Sequence, residues 1–314
     1  MKRNKIILLL ATALMIAVVS SCKKDVLETS EVFPEGNYQS LQDFYEQNGA
    51  ETQNILINDP EIFNVITGQM GTQIQIPANS LRDSAGFPPP GSVNVTLREV
   101  YNIKDMVLSH LPTTSDGNIL QSGGMFYLEF SANNIRYQPN SYLLVTMPGD
   151  SAVQGMQVFF GLENQSTGIN WALADSGSFV SLDSAGTNYI MYLDSLGYGW
   201  INCDQLYPIG NPTDVTITPV VDAERNETVD IAVYLLFPSI NSVMNVSNTT
   251  SQQNVIAYNI PIGMQAVAAV IGVGRITKKA YFGKINFTVT SPQNVSVSVM
   301  QMTDQQIFDS LSNL

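Results

Sequence analysis

The chain has 314 residues, with 14 Lys and Arg against 27 Asp and Glu, one His and two Cys, for a formal net charge of −13. So acidic a surface repels nucleic acid and anionic lipid headgroups, and both drop out as partners. One histidine and two cysteines are too few for a zinc site of the usual ligand set, so no metal or cofactor is expected.

Lys2, Arg3 and Lys5 precede an uncharged, mostly apolar run from Ile6 to Val19, which is too short to span a bilayer comfortably and reads as an export signal over residues 1–21. The signal ends in Val19-Ser20-Ser21-Cys22, which resembles the bacterial lipobox. In that family the peptidase cuts before the cysteine, and the cysteine carries a diacylglycerol on its thiol. The resemblance makes Cys22 the lipidation site and the membrane a partner through the N-terminal lipid, in a protein that sits on a bilayer without spanning it. Cys203 is then left without an intramolecular partner, and the mature chain must be held by its hydrophobic core.

Residues 22–51 are polar and read as a tether, with one short helix where Leu41, Phe44 and Tyr45 recur at helical spacing. From residue 52 the period changes to 2. Val93, Val95 and Leu97 alternate with Asn94, Thr96 and Arg98, and comparable strands are expected at 72–76, 125–130, 142–147, 156–160, 188–193 and 197–203. Pro208, Gly210 and Pro212 mark a boundary within 204–213. Further strands are expected at 214–218, 229–237, 254–259, 264–273, 284–290 and 294–300, then a C-terminal helix opened by the capping box Thr303 to Gln306. The reading is all-β: a β-sandwich domain over 52–203, and a second over 204–314 that ends in a short helix.

The segment from Gly68 to Met106, with Ile76-Pro77 and the long strand after it, resembles the ZU-type β-sandwich of ankyrins, netrin receptors and zonula occludens proteins. The succession "IQIPANSL", "VNVTLREVYNIKDM", "MQVFFG" and "GYGWINCD" is more closely similar to a group of Bacteroidota lipoproteins. The resemblance implies a non-catalytic module for protein interaction or packing, and it transfers no catalytic residues.

Other features carry structural readings first. His110 is expected as a hydrogen-bonded loop or strand-end imidazole, since no Gly-x-Ser-x-Gly elbow accompanies it. Cys203 is expected as a buried thiol. Trp171, Tyr198 and Trp200 are expected in the core, with a sugar-stacking platform as the alternative. Gly272-Val273-Gly274-Arg275 lacks a third glycine and reads as strand. Asp-Ser-aliphatic recurs at Asp83, Asp150, Asp183, Asp194 and Asp309, the first four as turns. The triplet also resembles the O-glycosylation acceptor of Bacteroidota exported proteins, which makes Ser84, Ser151, Ser184 and Ser195 candidate glycan sites. Ser310 fits worst, inside the expected helix. Arg275, Lys278, Lys279 and Lys284 form either a solvated turn or a patch for an acidic partner or polysaccharide.

The expectation is a lipid-anchored protein of the outer membrane, facing the periplasm or the outside, which binds or scaffolds a protein or glycan partner. The alternatives are a surface glycan-binding protein and, from another class, a hydrolase using a carboxylate pair.

Overall fold

A computed structural model describes residues 36–149, 152–164, 168–175, 177–194, 199–250 and 253–314. Helix α1 (Leu41–Asn48) opens the body, capped by the Ser40 hydroxyl, which accepts from the Asp43 N–H. Strands β1 (Gln53–Ile57), β2 (Asn64–Thr67), β3 (Gln73–Ile76), β4 (Leu81–Arg82) and β5 (Val93–Val100) lead to α2 (Ile103–Leu108). Then come β6 (Thr114–Ser115), β7 (Asn118–Ala132), β8 (Ile135–Pro139), β9 (Leu143–Pro148), β10 (Gln157–Asn164) and β11 (Gly168–Leu173). They are followed by β12 (Phe179–Leu182), β13 (Asn188–Leu193) and β14 (Gly199–Leu206). The rest is β15 (Pro212–Asp222), β16 (Val229–Phe237), a 3-10 turn (Pro238–Ile240), β17 (Ser242–Thr250), β18 (Val255–Pro261), β19 (Gln265–Gly274), β20 (Ala280–Thr288), β21 (Gln293–Gln301) and α3 (Asp304–Ser312).

The protein is mostly β, with three sheets and a short C-terminal helix. The first sheet follows the path β1-β5-β7-β14-β10-β11, with β4, β6 and β8 attached, and the second runs β12-β13-β9-β3-β2. Their inward residues meet in one cluster: Val93, Val95 and Leu97 of β5 with Val145 and Met147 of β9 and Met191 of β13. Alternation explains this, because the odd residues of β5 are buried while Asn94, Thr96 and Arg98 keep an exposed edge.

The third sheet runs β17-β16-β19-β20-β21-β15-β18, with β15 parallel to β21. A two-layer sandwich is expected there, but a single seven-stranded sheet curls until its end strands β17 and β18 approach each other, nearly closing a barrel. The cause lies in β16 and β19, which are apolar at almost every position and are buried on both faces. Val233, Leu235, Ala268 and Val270 fill the inside of the curl, while Tyr234, Leu236, Ala269 and Ile271 face outward into a cluster shared with all three helices and with Trp171 and Trp200. The change of sheet falls between Leu206 and Pro212, and Glu35–Leu314 forms one compact unit.

Residues 36–51 differ from the tether expected for them. Phe44 is fully buried and Tyr45 nearly so, and the Tyr38 N–H donates to the Lys278 carbonyl at 2.9 Å. The expected C-terminal helix and its capping box are present, with Ile307 and Leu311 buried.

Candidate functional site

An open cleft of about 500 Å³ lies where the three sheets meet. Its walls come from Met70 in the β2–β3 turn, Tyr101 after β5, Ser122 and Gly123 in β7, Tyr189 in β13 and Asn241 after the 3-10 turn.

Glu99, the next-to-last residue of β5, anchors the first wall. Its carboxylate is buried and accepts from the N–H groups of Met70 (2.9 Å) and Thr72 (3.0 Å), from Gln53 Nε2 (2.8 Å) and from the Thr72 hydroxyl. Burial alone would push its pKa up, but these bonds favour the anion and hold it below the usual carboxylate range. Gly68 lies so close to this carboxylate that any side chain there would overlap it. Above Glu99 the Tyr101 hydroxyl bonds Thr72 Oγ1, and burial raises the phenol's pKa.

The back wall is a β-bulge. The register of β7 with β14 shifts between Asn202 and Asp204, so that Gly123 and Gly124 bulge out of β7, with Gly124 at φ 108°. A Cβ on Gly123 would stand 2.8 Å from the Tyr189 ring and 2.9 Å from the Cys203 carbonyl oxygen, so the aromatic wall requires glycine here. Asn241, in the left-handed region at φ 49°, donates its Nδ2 to the carbonyls of Tyr101 (2.9 Å) and Ser122 (3.3 Å) and so ties the third sheet to the cleft.

Behind Ser122 lies an unusual acid. Asp204 is fully buried, receives Asn202 Nδ2 at 2.5 Å on Oδ2, and has no hydrogen-bond partner at Oδ1. Burial pushes its pKa well above the ordinary value, against the hydrogen bonds of its neighbours, and so favours the neutral carboxyl group. Ring faces, a hydroxyl and amides can together hold a small uncharged polar group without covalent chemistry. Glu99 was findable in the sequence: it sits on the inward phase of Val93, Val95 and Leu97, where a carboxylate needs partners. Asp204, in phase with Trp200 and Asn202, gives the same signal.

The singled-out residues fall as follows. His110, at φ 54°, stacks on Tyr45 with ring centroids 4.7 Å apart. Its Nδ1 lies 2.6 Å from Tyr234 Oη and its Nε2 lies 3.4 Å from Asn245 Nδ2, while Tyr234 Oη donates to Tyr45 Oη at 2.7 Å. One direction satisfies every bond: Asn245 donates to Nε2, and Nδ1–H donates to Tyr234. Burial lowers the histidine pKa and keeps this neutral tautomer. Cys203 is buried and free, its thiol pKa raised by burial.

Trp171 is fully buried and donates Nε1 to the Pro112 carbonyl at 2.6 Å, while Trp200 lies under Arg98 with 8 % exposure. Neither can stack on a sugar, which corrects the platform alternative for these two; Tyr198 lies outside the described residues. Arg275 pairs with Asp230 through two nitrogens, Lys278 Nζ reaches the Gln39 carbonyl at 3.4 Å, and Lys284 Nζ donates to the Ser310 carbonyl in α3. Lys279 follows Lys278 in the same turn. Ser84 and Ser184 are exposed in turns of one geometry: Gly86 and Gly186 donate to the carbonyls of Asp83 and Asp183 at 3.0 Å, and the N–H four residues after each aspartate meets its Oδ1 at 2.8 Å. Ser310 lies within α3. Cys22, Ser151 and Ser195 lie outside the described residues.

No protein-family model matches the chain, and no curated protein matches its sequence. Among solved structures it bears a weak likeness to a pilus-presented adhesin, at 8 % identity over 80 % of each chain with a TM-score of 0.19. That score is too low to indicate a common fold.

Proposed function

We propose that this protein is a lipid-anchored protein of the bacterial cell envelope that binds or scaffolds a partner and carries out no catalysis. The observation that carries the reading is the run from Lys2 to Cys22: a basic start, a short apolar stretch and a lipobox-like end. The Bacteroidota lipoprotein resemblance and a ZU-type sandwich for the first two sheets belong to the same proposal, as does outer-membrane placement. The fate of the polar core supports a non-catalytic role. Both ring nitrogens of His110 are engaged and the Cys203 thiol is sealed.

Metabolic labelling with palmitate tests the anchor. Label is expected in the wild-type protein and absent after Cys22→Ala, which should also move the protein out of the membrane fraction. Unlabelled wild-type protein sinks the reading. A second reading, binding of a glycan or similar neutral polar ligand, is favoured by the cleft between Tyr101 and Tyr189. Isothermal titration with neutral oligosaccharides against wild type and Met70→Trp decides it, since Met70 is an exposed part of the cleft wall and an indole there would narrow the cleft.

A further inference from the structure

We infer that the outer face of the second sheet is a platform for a neutral polysaccharide, a binding site separate from the cleft. Strand pairing lines up one residue from each of its five strands: Phe179 of β12, Tyr192 of β13, Leu144 of β9, Gln75 of β3 and Val65 of β2. The neighbouring row, Met191, Val145, Ile74 and Ile66, is buried in the core shared with the first sheet, so this one is turned to solvent. Four inter-strand spacings make it about 19 Å long, room for several sugar rings.

The row offers ring surface at one end. Phe179 and Tyr192 stack with centroids 4.4 Å apart and planes 16° from parallel. Because β12 is an edge strand, no further strand covers the side of Phe179 turned away from Tyr192, and the residue is 51 % exposed. Val65 ends the row on the other edge strand at 53 %. Apolar ring surface of this kind suits the C–H face of a pyranose. Amides and hydroxyls stand beside it: Gln75 in the row itself, then Ser181, Thr146 and Gln73 in the next outward row. The side chains of these four make no hydrogen bond among the described residues, so their donors and acceptors are open to a ligand. A wholly apolar partner would leave them unmet, whereas a polyol supplies partners along its length. Charge narrows the class further. Neither row holds an Asp, Glu, Lys or Arg, Asp183 precedes β13 and Asp194 follows it, and the chain as a whole carries −13. A uronate or phosphate polymer would meet repulsion here and no opposite charge.

The test runs the full mature chain, in detergent, through native gels containing glycogen, mannan, xyloglucan or, as the anionic comparison, polygalacturonate. Wild type is expected to be retarded by at least one neutral polymer and not by polygalacturonate. Phe179→Ala and Tyr192→Ala should each weaken that retardation about tenfold or more. Gln75→Ala, which removes no ring, should weaken it as well and keeps the row testable should an aromatic variant fold poorly. Retardation by none of the neutral polymers, or equal retardation by polygalacturonate, overturns the inference. Binding that is lost in Met70→Trp but kept in Phe179→Ala also overturns it, and leaves glycan binding to the cleft. Self-association of the wild type in sedimentation, abolished by Phe179→Ala without any retardation by sugar, would make the face a contact between copies and overturn it too.

Discussion

The ring of His110 is held 2.6 Å from the Tyr234 hydroxyl, so a loop following α2 and a strand of the third sheet are joined through one neutral imidazole. No charged group pairs with it, and burial is what lowers its pKa. The sign follows. Above the unfolded value of about 6.5 the ring is neutral in both states and the joint is intact. As pH falls below that value the unfolded chain takes up a proton that the folded chain resists, so stability drops until the lower folded pKa is passed. Melting temperature should fall between pH 7 and 5, and His110→Gln should flatten that slope. An unchanged slope removes His110 as its source. Tyr234→Phe leaves Nδ1–H without a partner and should cost about 1–3 kcal/mol in urea unfolding at pH 7.

Glu99 works in the opposite protonation state. Its anion holds the turn from Gly68 to Thr72, and Glu99→Gln keeps the shape but turns an amide group toward backbone N–H donors. A loss of about 2–3 kcal/mol is expected, the scale of hydrogen bonds to a charged group together with donors left unmet. Because the folded pKa is depressed, this contribution is present above the ordinary glutamate range and is lost as pH falls through the folded value. Chemical denaturation at pH 7 and pH 3 should show the two proteins far apart at the first and closer at the second.

Much of the fold could be read from side-chain period. Val93, Val95 and Leu97 announce a half-buried strand, and Thr303 with Gln306 announces a helix start. The third sheet was harder, for a physical reason: Val229–Phe237 and Gln265–Gly274 do not alternate, because both of their faces are covered. Period alone cannot say whether the second cover is another sheet or the same sheet curled round. Helix α2 hid between strands, although Asn102 and Asp105 spell its cap: the Asn102 side chain accepts from the Asp105 N–H. The cleft was less legible. Tyr101, Ser122, Tyr189 and Asn241 are scattered over 141 residues of sequence, and only the pairing of strands brings them together.

Asp204 supplies a prediction of the reverse kind to Glu99. Its folded pKa is raised, so its contribution is complete below the unfolded value and is lost as pH rises toward the folded one, at about 1.4 kcal/mol per unit of difference. Asp204→Asn removes the titration while keeping an acceptor for Asn202 Nδ2. The variant should match wild type near pH 4 and exceed it at pH 8 by urea unfolding. A variant less stable than wild type at pH 8 would mean that the carboxyl group is ionised in the fold.

The paired turns at Asp83 and Asp183 bear on the proposed glycosylation. Both read Asp-Ser-Ala-Gly, and in both the aspartate oxygens take the backbone N–H groups while the serine is exposed. The proposed glycans at Ser84 and Ser184 would therefore extend into solvent without disturbing a hydrogen bond of the turn. Intact-mass measurement of protein purified from its native envelope should exceed the mass of polypeptide plus lipid, and Ser84→Ala and Ser184→Ala should each remove one equal increment. Asp83→Asn provides the sharper comparison. Both backbone N–H groups that meet Asp83 go to one oxygen, from which an amide oxygen can still accept, so the turn persists, and an acceptor that requires the acid should lose its increment while the melting temperature stays within about 2 °C, the shift expected of a small surface effect. A native mass equal to polypeptide plus lipid would leave these turns with a purely structural role.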